Sequence, residues 1–154
     1  AGGRDSRNPG ADRFIQEIRE TTGLRILPKK GALKELLSAL RAGEAVCFLS
    51  DQIAGAEGVD VRFFGRRTAA IAAPAYLSLK TGAPIVPVFI ERLGVGRHRI
   101  TYCDPIEPAR KGELHEDVQR MTQQGMDISE EFIRRRPDQW FWLHKRCSSR
   151  FWTT

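Results

Sequence analysis

The sequence has little of several features that would place it in a special class of protein. It has three cysteines among 154 residues, far apart and never in a Cys-x-x-Cys pair, so neither a disulfide framework nor a zinc site is indicated. No apolar run approaches the roughly 18 residues that a membrane-spanning helix needs, and no signal-peptide core is present. We therefore expect a packed domain in a reducing environment.

Patterns of several common enzyme classes are also absent. The chain has no Gly-x-Ser-x-Gly nucleophile elbow, no phosphate-binding P-loop and no His-Glu-x-x-His zinc motif. None of its three histidines has an acid at a spacing typical of catalysis. The residues alone therefore indicate no metal and no cofactor.

Positive charge is in excess. The chain contains 25 Lys and Arg against 19 Asp and Glu, which leaves a net charge of +6. Such a balance favours anionic partners, which include a phosphorylated lipid, an acidic protein, a membrane surface and nucleic acid. Charge alone does not choose among them.

Hydrophobic patterning predicts an α/β domain with a mixed, mostly parallel sheet flanked by helices. Apolar residues follow helical spacing over 33–42 and 72–81. Short apolar runs at Ala45–Leu49 and Pro84–Ile90, bounded by Gly and Pro, predict two central strands. The first helix with its neighbouring strands predicts a βαβ unit. Further predicted elements are a strand at 59–63, an antiparallel hairpin partner with one wet face at 97–103, and a helix from Leu114.

Two segments carry residues suited to a ligand site. Leu49–Gln52 follows a predicted strand, and open α/β sheets bind ligands at that end of their strands, which makes Asp51 a candidate. The alternative is an Asp that only forms a turn. In Val61–Thr68, the planar guanidinium groups of Arg66 and Arg67 suit an anionic headgroup or carrier. Solvated arginines at a strand end are the alternative there.

A third segment, Pro137–Arg146, interleaves aromatic and basic residues. This pattern suits the stacking of bases, and it equally suits a membrane interface, where Trp is amphipathic and Lys or Arg meets anionic lipid. A structural interpretation is also open, in which Trp140 and Trp142 pack against the sheet and His144 is a hydrogen-bonded histidine. The residues by themselves do not decide among the three.

The order of these motifs resembles a known family. The chain contains, in this order, RNP, GALKELL, LSDQ, VxFFGR, TGAPIVPV and PDQWxWxHKR. This set is similar to the bacterial lipid A biosynthesis acyltransferases, the late lauroyl and myristoyl transferases within the larger lysophospholipid acyltransferase group. The resemblance extends from about Arg4 to Arg146. It implies a glycerolipid-acyltransferase-like fold, of which residues 1–154 are the C-terminal portion of a single acyltransferase domain.

The resemblance also implies a chemistry. Members of the family carry an N-terminal membrane helix and a His-x4-Asp/Glu motif whose histidine acts as base, and neither occurs in this sequence. Because the chain starts at Ala1 with a segment of loop character, we expect the N-terminal part to lie upstream and this piece alone to be inactive. The implied reaction is attack by a lipid hydroxyl on an acyl thioester, without metal or cofactor.

Individual residues receive roles from the resemblance. Arg4, with Asn8 in the same block, lies beside the active site and contacts phosphate or developing negative charge. Asp51 orients neighbouring basic groups, and Gln52 stands where the family has Gln or His. We expect Arg4, Asp51 and Arg66 to converge on one cleft. The other assignments are substrate contacts at Phe64, Gly65, Arg66 and Arg67, a proline-containing strand block at Pro87, and structural closure near the membrane face by Trp142, His144 and Arg146.

The implied partners are acyl carrier protein, a lipid A precursor or related glycolipid, and a membrane surface, which is the cytoplasmic face of the inner membrane. A phosphatidylinositol mannoside is the alternative acceptor. A basic nucleic-acid-binding module, from a different class, would also explain the net charge and the C-terminal Trp and Arg residues. It explains neither the apolar core nor the Asp51 loop, so we expect no nucleic-acid partner.

Overall fold

The computed structural model describes residues 2–3, 10, 13–14, 17–18, 21–25, 27–28, 31–51, 54 and 58–142. The chain forms two compact units, Ala1–Leu49 and Ser50–Thr154. Among the helices in the described ranges, none combines the length and the apolar composition that a membrane crossing requires.

The first unit contains an amphipathic helix over 32–41, and its described residues 10, 13–14 and 17–18 are also helical. Strands β1 (Gly2–Gly3) and β2 (Leu27–Pro28) form a short parallel pair. Helix α1 (Ala32–Arg41) follows and buries Leu36 and Ala39. The helix predicted over 33–42 is confirmed.

A glycine ends α1, as the sequence indicates. Gly43 has a φ of 80°, a left-handed conformation that side chains disfavour. The turn lets the N–H of Gly43 donate to the carbonyl of Leu40 at 3.1 Å and the N–H of Glu44 donate to the carbonyl of Ala39 at 2.9 Å. These two bonds satisfy carbonyl groups that the helix end would otherwise leave open.

The strand predicted for Ala45–Leu49 is wrong. Residues 44–50 have no regular secondary structure, and Leu49 is exposed. The predicted βαβ unit is therefore not formed. A short apolar run indicates a tendency to be buried, but it does not specify a partner strand, and a parallel partner must come from a distant segment.

The described residues of the second unit form two antiparallel hairpins and two helices, so the prediction of a mostly parallel sheet is wrong. The coarser α/β assignment agrees with this mixture of helices and strands. Local pairing across a short turn closes a small loop, which costs less chain entropy than a parallel pairing. The elements are β3 (Val59–Phe63), β4 (Arg66–Ala70), α2 (Ala73–Thr81), β5 (Val88–Gly94), β6 (Arg97–Tyr102), α3 (Leu114–Arg135) and a 3₁₀ turn (Pro137–Gln139).

The central strand predicted over Pro84–Ile90 is also corrected. The strand β5 begins at Val88, and β6 is its hydrogen-bonded partner in a two-stranded sheet. Upstream of it, Ile85 forms an isolated bridge with Ile106. The antiparallel hairpin predicted around 97–103 is confirmed. Its exposed face carries both polar and apolar side chains, which are Arg92, His98, Val88, Ile90, Ile100 and Tyr102.

The core lies between the first hairpin and α3. Strand β3 alternates buried and exposed residues along its length, as the sequence pattern predicts. Helix α3 presents an apolar stripe to that buried face, and α2 packs beside it. The buried cluster consists of Val59, Val61, Phe63, Ala70, Ala75, Leu79, Ile106, Val118, Met121, Met126 and Ile133.

Helix α3 also covers the open edge of β3. Alternate residues of an edge strand direct their backbone groups away from the partner strand. The side chain of Gln119 donates to the carbonyl of Asp60 at 2.8 Å. The amide of Gln123 accepts from the N–H of Arg62 at 2.7 Å and donates to its carbonyl at 3.0 Å. Two glutamines of the helix thus take the place of a neighbouring strand.

A buried carboxylate fixes the loop before α3. Asp117 accepts hydrogen bonds from the N–H groups of Lys111, at 3.0 Å, and Gly112, at 3.4 Å. The guanidinium of Arg120 donates to Asp117 and to the carbonyl of Ala109, both at 2.5 Å. The side-chain hydrogen bond from Arg120, aided by the two backbone donors, holds the pKa of Asp117 below its usual range despite burial.

Truncation of the core should destabilise the second unit. Met121 is fully buried between α3 and β3, so Met121→Ala leaves a cavity and should lower the free energy of unfolding by about 2–5 kcal/mol. The control Gln124→Ala removes an exposed side chain from the same helix. It should change the free energy of unfolding by less than about 0.5 kcal/mol. Urea denaturation measures both. Equal effects of the two changes would show that Met121 is not in the core.

Acid should weaken the contribution of Asp117. Since its pKa is lower in the folded chain than the ordinary value of 3.8, the carboxylate stabilises the fold above that pH and loses this effect as pH falls through the folded pKa. Asp117→Asn should therefore be less stable than wild type at neutral pH, and the gap should close on acidification. Urea denaturation over a pH series checks this. The exposed control Asp104→Asn should show no such pH-dependent difference from wild type. A stability difference for Asp117→Asn that does not change with pH, or an equally pH-dependent one for Asp104→Asn, would contradict the role of the Asp117 carboxylate.

Candidate functional site

The turn between β3 and β4 has an unusual backbone. Phe63 pairs with Arg66, which leaves Phe64 and Gly65 as a two-residue loop. Both have positive φ, at 51° for Phe64 and 75° for Gly65. Two-residue turns with positive φ match the twist of the strands, and they favour Asn or Gly. For a residue with a side chain, the left-handed conformation costs about 1–2 kcal/mol of conformational free energy. A phenylalanine persists there only if its surroundings hold it.

Contacts from α3 and from the C-terminal segment hold Phe64. Its N–H donates to the carboxylate of Glu130 at 2.5 Å. Its ring meets Phe63 edge to face with centroids 4.8 Å apart, and the ring of Trp142 lies at 5.7 Å. The guanidinium of Arg134 sits over the Phe64 ring, 4.9 Å from its centroid, where the negative face of the ring attracts it.

The C-terminal motif is anchored so that its tryptophans reach this turn. The indole N–H of Trp142 donates to the carbonyl of Pro137 at 2.7 Å. Trp140 lies against Phe63 with ring centroids 6.0 Å apart. The amide of Gln139 forms two hydrogen bonds with the backbone of Arg92, at 2.8 and 2.9 Å, which ties the 3₁₀ turn to β5. We call the group Phe63, Phe64, Arg134, Trp140 and Trp142 the aromatic cluster.

Three arginines lie in or next to the aromatic cluster, together with the acidic partners of Arg134 and Arg67. Arg134 pairs with Glu130 at 3.4 Å, and Arg67 pairs with Asp60 at 2.9 Å. Arg66 follows the turn directly and is exposed. The ring of Trp142 remains partly exposed beside these charges. Apolar rings next to guanidinium groups suit a ligand that has both an apolar chain and an anionic group.

The structure brings together some of the predicted site residues. Phe64 and Gly65 form the turn, and Arg66 and Arg67 begin β4 beside it. Trp142, the first residue of the WxHxR motif, contacts Phe64 of the FFGR motif. The structural interpretation of Trp140 and Trp142, packing against the first hairpin, agrees with these contacts.

Among the described residues, Asp51 and Pro87 are not part of the aromatic cluster. Asp51 is exposed near the start of the second unit. The carbonyl of Pro87 accepts the N–H of Cys103 at 2.9 Å just before β5. The convergence of Arg4, Asp51 and Arg66 stays a prediction. The predicted residues outside the described ones are Arg4, Asn8, Gln52, His144 and Arg146.

Glu130 and Arg134 of α3 contact the turn, but the sequence did not predict this role for them. Glu130 and Arg134 have the spacing of an ion pair on one helix face, a signal that was available. The triplet beginning at Arg134 predicts only cations that complement a helix end. Their contact with Phe64 joins segments far apart in the sequence, and no local pattern reveals such a contact.

Comparison with known sequences identifies the class. The chain matches the profile of the bacterial lipid A biosynthesis acyltransferase family over residues 2–149, and it therefore belongs to this family of acyltransferases. The resemblance drawn from the motifs is confirmed.

Curated relatives are phosphatidylinositol mannoside acyltransferases. The chain is 35% identical to the phosphatidylinositol mannoside acyltransferase of Mycolicibacterium smegmatis over 80 residues. These residues cover 49% of this chain and 26% of the relative. It is 38% identical to one from Mycobacterium tuberculosis over 79 residues, which cover 49% of this chain and 25% of the relative. The matched part is thus about a quarter of the length of these relatives.

Loss of the Glu130 carboxylate should release the turn. Glu130→Ala leaves the partly buried N–H of Phe64 without its acceptor and should lower the free energy of unfolding by about 1–3 kcal/mol. Glu130→Gln keeps an acceptor oxygen and should recover most of the loss. The control is Glu131→Ala, which removes an exposed ion pair with Arg135 and should cost less than about 1 kcal/mol. Equal losses in Glu130→Ala and Glu131→Ala, measured by urea denaturation, would refute the special role of Glu130.

Proposed function

We propose that the protein to which this chain belongs transfers a fatty acyl chain from acyl carrier protein to a hydroxyl group of a glycolipid. The family match over residues 2–149 is the observation that carries the proposal. The aromatic cluster supports it, because its rings suit an acyl chain. The guanidinium groups of Arg134 in the cluster and of Arg66 and Arg67 next to the turn suit an anionic headgroup or an acidic carrier protein.

The reaction is an ester-forming transfer. The acceptor hydroxyl oxygen attacks the thioester carbonyl carbon, the new C–O bond forms, and the C–S bond breaks to release the carrier thiol. A base takes the hydroxyl proton, and we expect it to be the histidine that the family carries in its His-x4-Asp/Glu motif, before Arg4. In this scheme Arg4 faces phosphate or developing negative charge, and Asp51 orients the basic groups around it.

The acceptor has two candidates, and a separate observation favours each. A lipid A precursor follows from the description of the family that matches the chain. A phosphatidylinositol mannoside follows from the names of the curated relatives, which are 35% and 38% identical over half of the chain. Both are glycolipids that carry phosphate, so the same guanidinium groups suit either one.

The proposed place of action is the cytoplasmic face of the inner membrane. A long-chain glycolipid acceptor resides in a bilayer, and the net charge of +6 favours an anionic lipid surface.

Acyl transfer by the full-length protein tests the function. Purified enzyme is incubated with acyl-loaded carrier protein and, separately, with a lipid A precursor or a phosphatidylinositol mannoside, and mass spectrometry detects the acylated product. Transfer to one of the two acceptors supports the proposal and identifies the acceptor. A folded protein that acylates neither, but binds a random oligonucleotide with steep salt dependence, would replace it with the nucleic-acid-binding alternative.

Two charged residues should matter more for turnover than for folding. In the full-length protein, Arg4→Ala and Asp51→Ala should each lower acyl transfer by a factor of about 10²–10³, since each removes a charge aimed at the reacting groups. Thermal unfolding should stay close to that of wild type, because Asp51 is exposed and its truncation leaves no cavity. The matched control is Asp104→Ala, at another exposed loop position. Near-normal turnover of a folded Asp51→Ala enzyme would show that Asp51 does not act in the reaction and would favour the alternative, in which it only forms a turn.

A further inference from the structure

Three consecutive arginines lie at the C-terminal end of helix α3, and they differ in what holds them. Arg135 pairs with Glu131, one turn earlier on the same helix. Arg136 donates two hydrogen bonds to the carboxylate of Asp138, both at 3.3 Å. These two arginines each have a carboxylate as partner, whereas Arg134 is held in a different way.

The guanidinium of Arg134 is held by its face, which lies over the ring of Phe64, 4.9 Å from the centroid. Among the described residues, the acceptor for its N–H groups is one carboxylate oxygen of Glu130, at 3.4 Å. Charge-assisted hydrogen bonds between such groups are typically about 2.7–2.9 Å long. The side chain of Arg134 is also 65% exposed. Its guanidinium therefore has a fixed position and N–H donors that a stronger acceptor can reach.

The carboxylate of Glu130 joins this guanidinium to the FFGR turn. One of its oxygens accepts the N–H of Phe64 at 2.5 Å, and the other faces Arg134. The backbone bond does not require a charge, because the neutral amide of Gln123 accepts an N–H of β3 from the same helix, at 2.7 Å. The charge of Glu130 is thus used in its contact with Arg134, which it keeps beside the turn.

An exposed aromatic ring lies against the same phenylalanine as Arg134. The ring of Trp142 is 5.7 Å from that of Phe64, and this tryptophan is 56% exposed. Its indole N–H is bonded to the carbonyl of Pro137, so the ring offers an apolar surface rather than a hydrogen bond. A guanidinium and an apolar ring at one side chain suit a molecule in which a phosphate group and acyl chains lie close together.

We propose that Arg134 binds the phosphate group of the acceptor glycolipid. The planar guanidinium donates to the phosphate oxygens, and the exposed ring beside it contacts an acyl chain. A phosphorylated glycolipid has its phosphate and acyl chains on one headgroup, whereas in the acyl donor the pantetheine arm separates the phosphate from the acyl chain. The inference rests on the proposed function, which it deepens by assigning a residue to recognition of the acceptor.

Binding of two short-chain lipids tests the proposal without any acyl donor. Dihexanoyl phosphatidic acid and dihexanoylglycerol, used as monomers, carry the same acyl chains and differ in the phosphate group. In the full-length protein, Arg134→Gln should weaken binding of the phosphatidic acid about tenfold and change binding of dihexanoylglycerol less than about twofold. Arg134→Lys keeps the charge without the planar fork and should recover part of the loss. Isothermal titration calorimetry measures each affinity.

The matched control is Arg135→Gln, which makes the same change of charge at the next residue, where the arginine is paired with Glu131. It should bind both lipids within about twofold of wild type. Equal losses in Arg134→Gln and Arg135→Gln would show that only total charge matters and would overturn the proposal. Equal losses for the two lipids would overturn it too. So would a folded Arg134→Gln variant with a lower melting temperature and unchanged lipid binding, because Arg134 would then serve packing within the protein.

Steady-state kinetics separate this inference from the proposed function. In acyl transfer by the full-length protein, Arg134→Gln should raise the KM for the glycolipid acceptor about tenfold and leave kcat and the KM for acyl carrier protein within about twofold. A raised KM for the carrier protein instead would assign Arg134 to the donor and overturn the proposal. Phosphate-dependent binding that requires Arg134, without acyl transfer to either acceptor, would support the site and refute the enzyme activity. Transfer by Arg134→Gln with an unchanged acceptor KM would refute the site and leave the activity standing.

Discussion

The packing of helix α3 along strand β3 is the constraint on which the second unit depends. The helix supplies much of the buried core, and its polar side chains also bond to the open edge of the strand. A strand edge leaves backbone groups available for pairing with other chains, so native proteins cover or block such edges. Here Gln119 and Gln123 serve both purposes, since they satisfy Asp60 and Arg62 and prevent a further strand from adding.

The same alignment shapes the candidate site. Further along the helix, Glu130 takes the next outward-facing N–H of the hairpin, at Phe64, and Arg134 lies over the ring of that residue. Contacts from β3, from α3 and from Trp142 offset the cost of the positive φ at Phe64. Strained positions that persist in this way concentrate at functional sites. The positive φ of Phe64 and the contacts that hold it therefore make the FFGR turn a candidate site.

Elements of secondary structure that depend on a local sequence pattern were predictable. The spacing of apolar residues predicted helices α1, α2 and α3, Gly43 predicted a helix stop, and the alternation in 59–63 predicted β3. The pairing of strands was not predictable in the same way. The runs at 45–49 and 84–90 are apolar enough for buried strands, but composition does not specify a partner, and the structure pairs 88–94 with its neighbour in sequence instead. The motif order predicted the family, whereas the contact between Phe64 and Glu130 depends on how a distant helix packs.

Amide hydrogen exchange at Arg62 and Phe64 tests most directly whether α3 acts as the missing neighbour of β3. Both N–H groups face away from β4, and among the described residues their acceptors are side chains of the helix, Gln123 for Arg62 and Glu130 for Phe64. We expect slow exchange at both positions, with the Phe64 amide alone becoming fast in Glu130→Ala and the Arg62 amide alone in Gln123→Ala. Rapid exchange of both amides in the wild-type protein would contradict the alignment of helix and strand, and with it the shape of the candidate site.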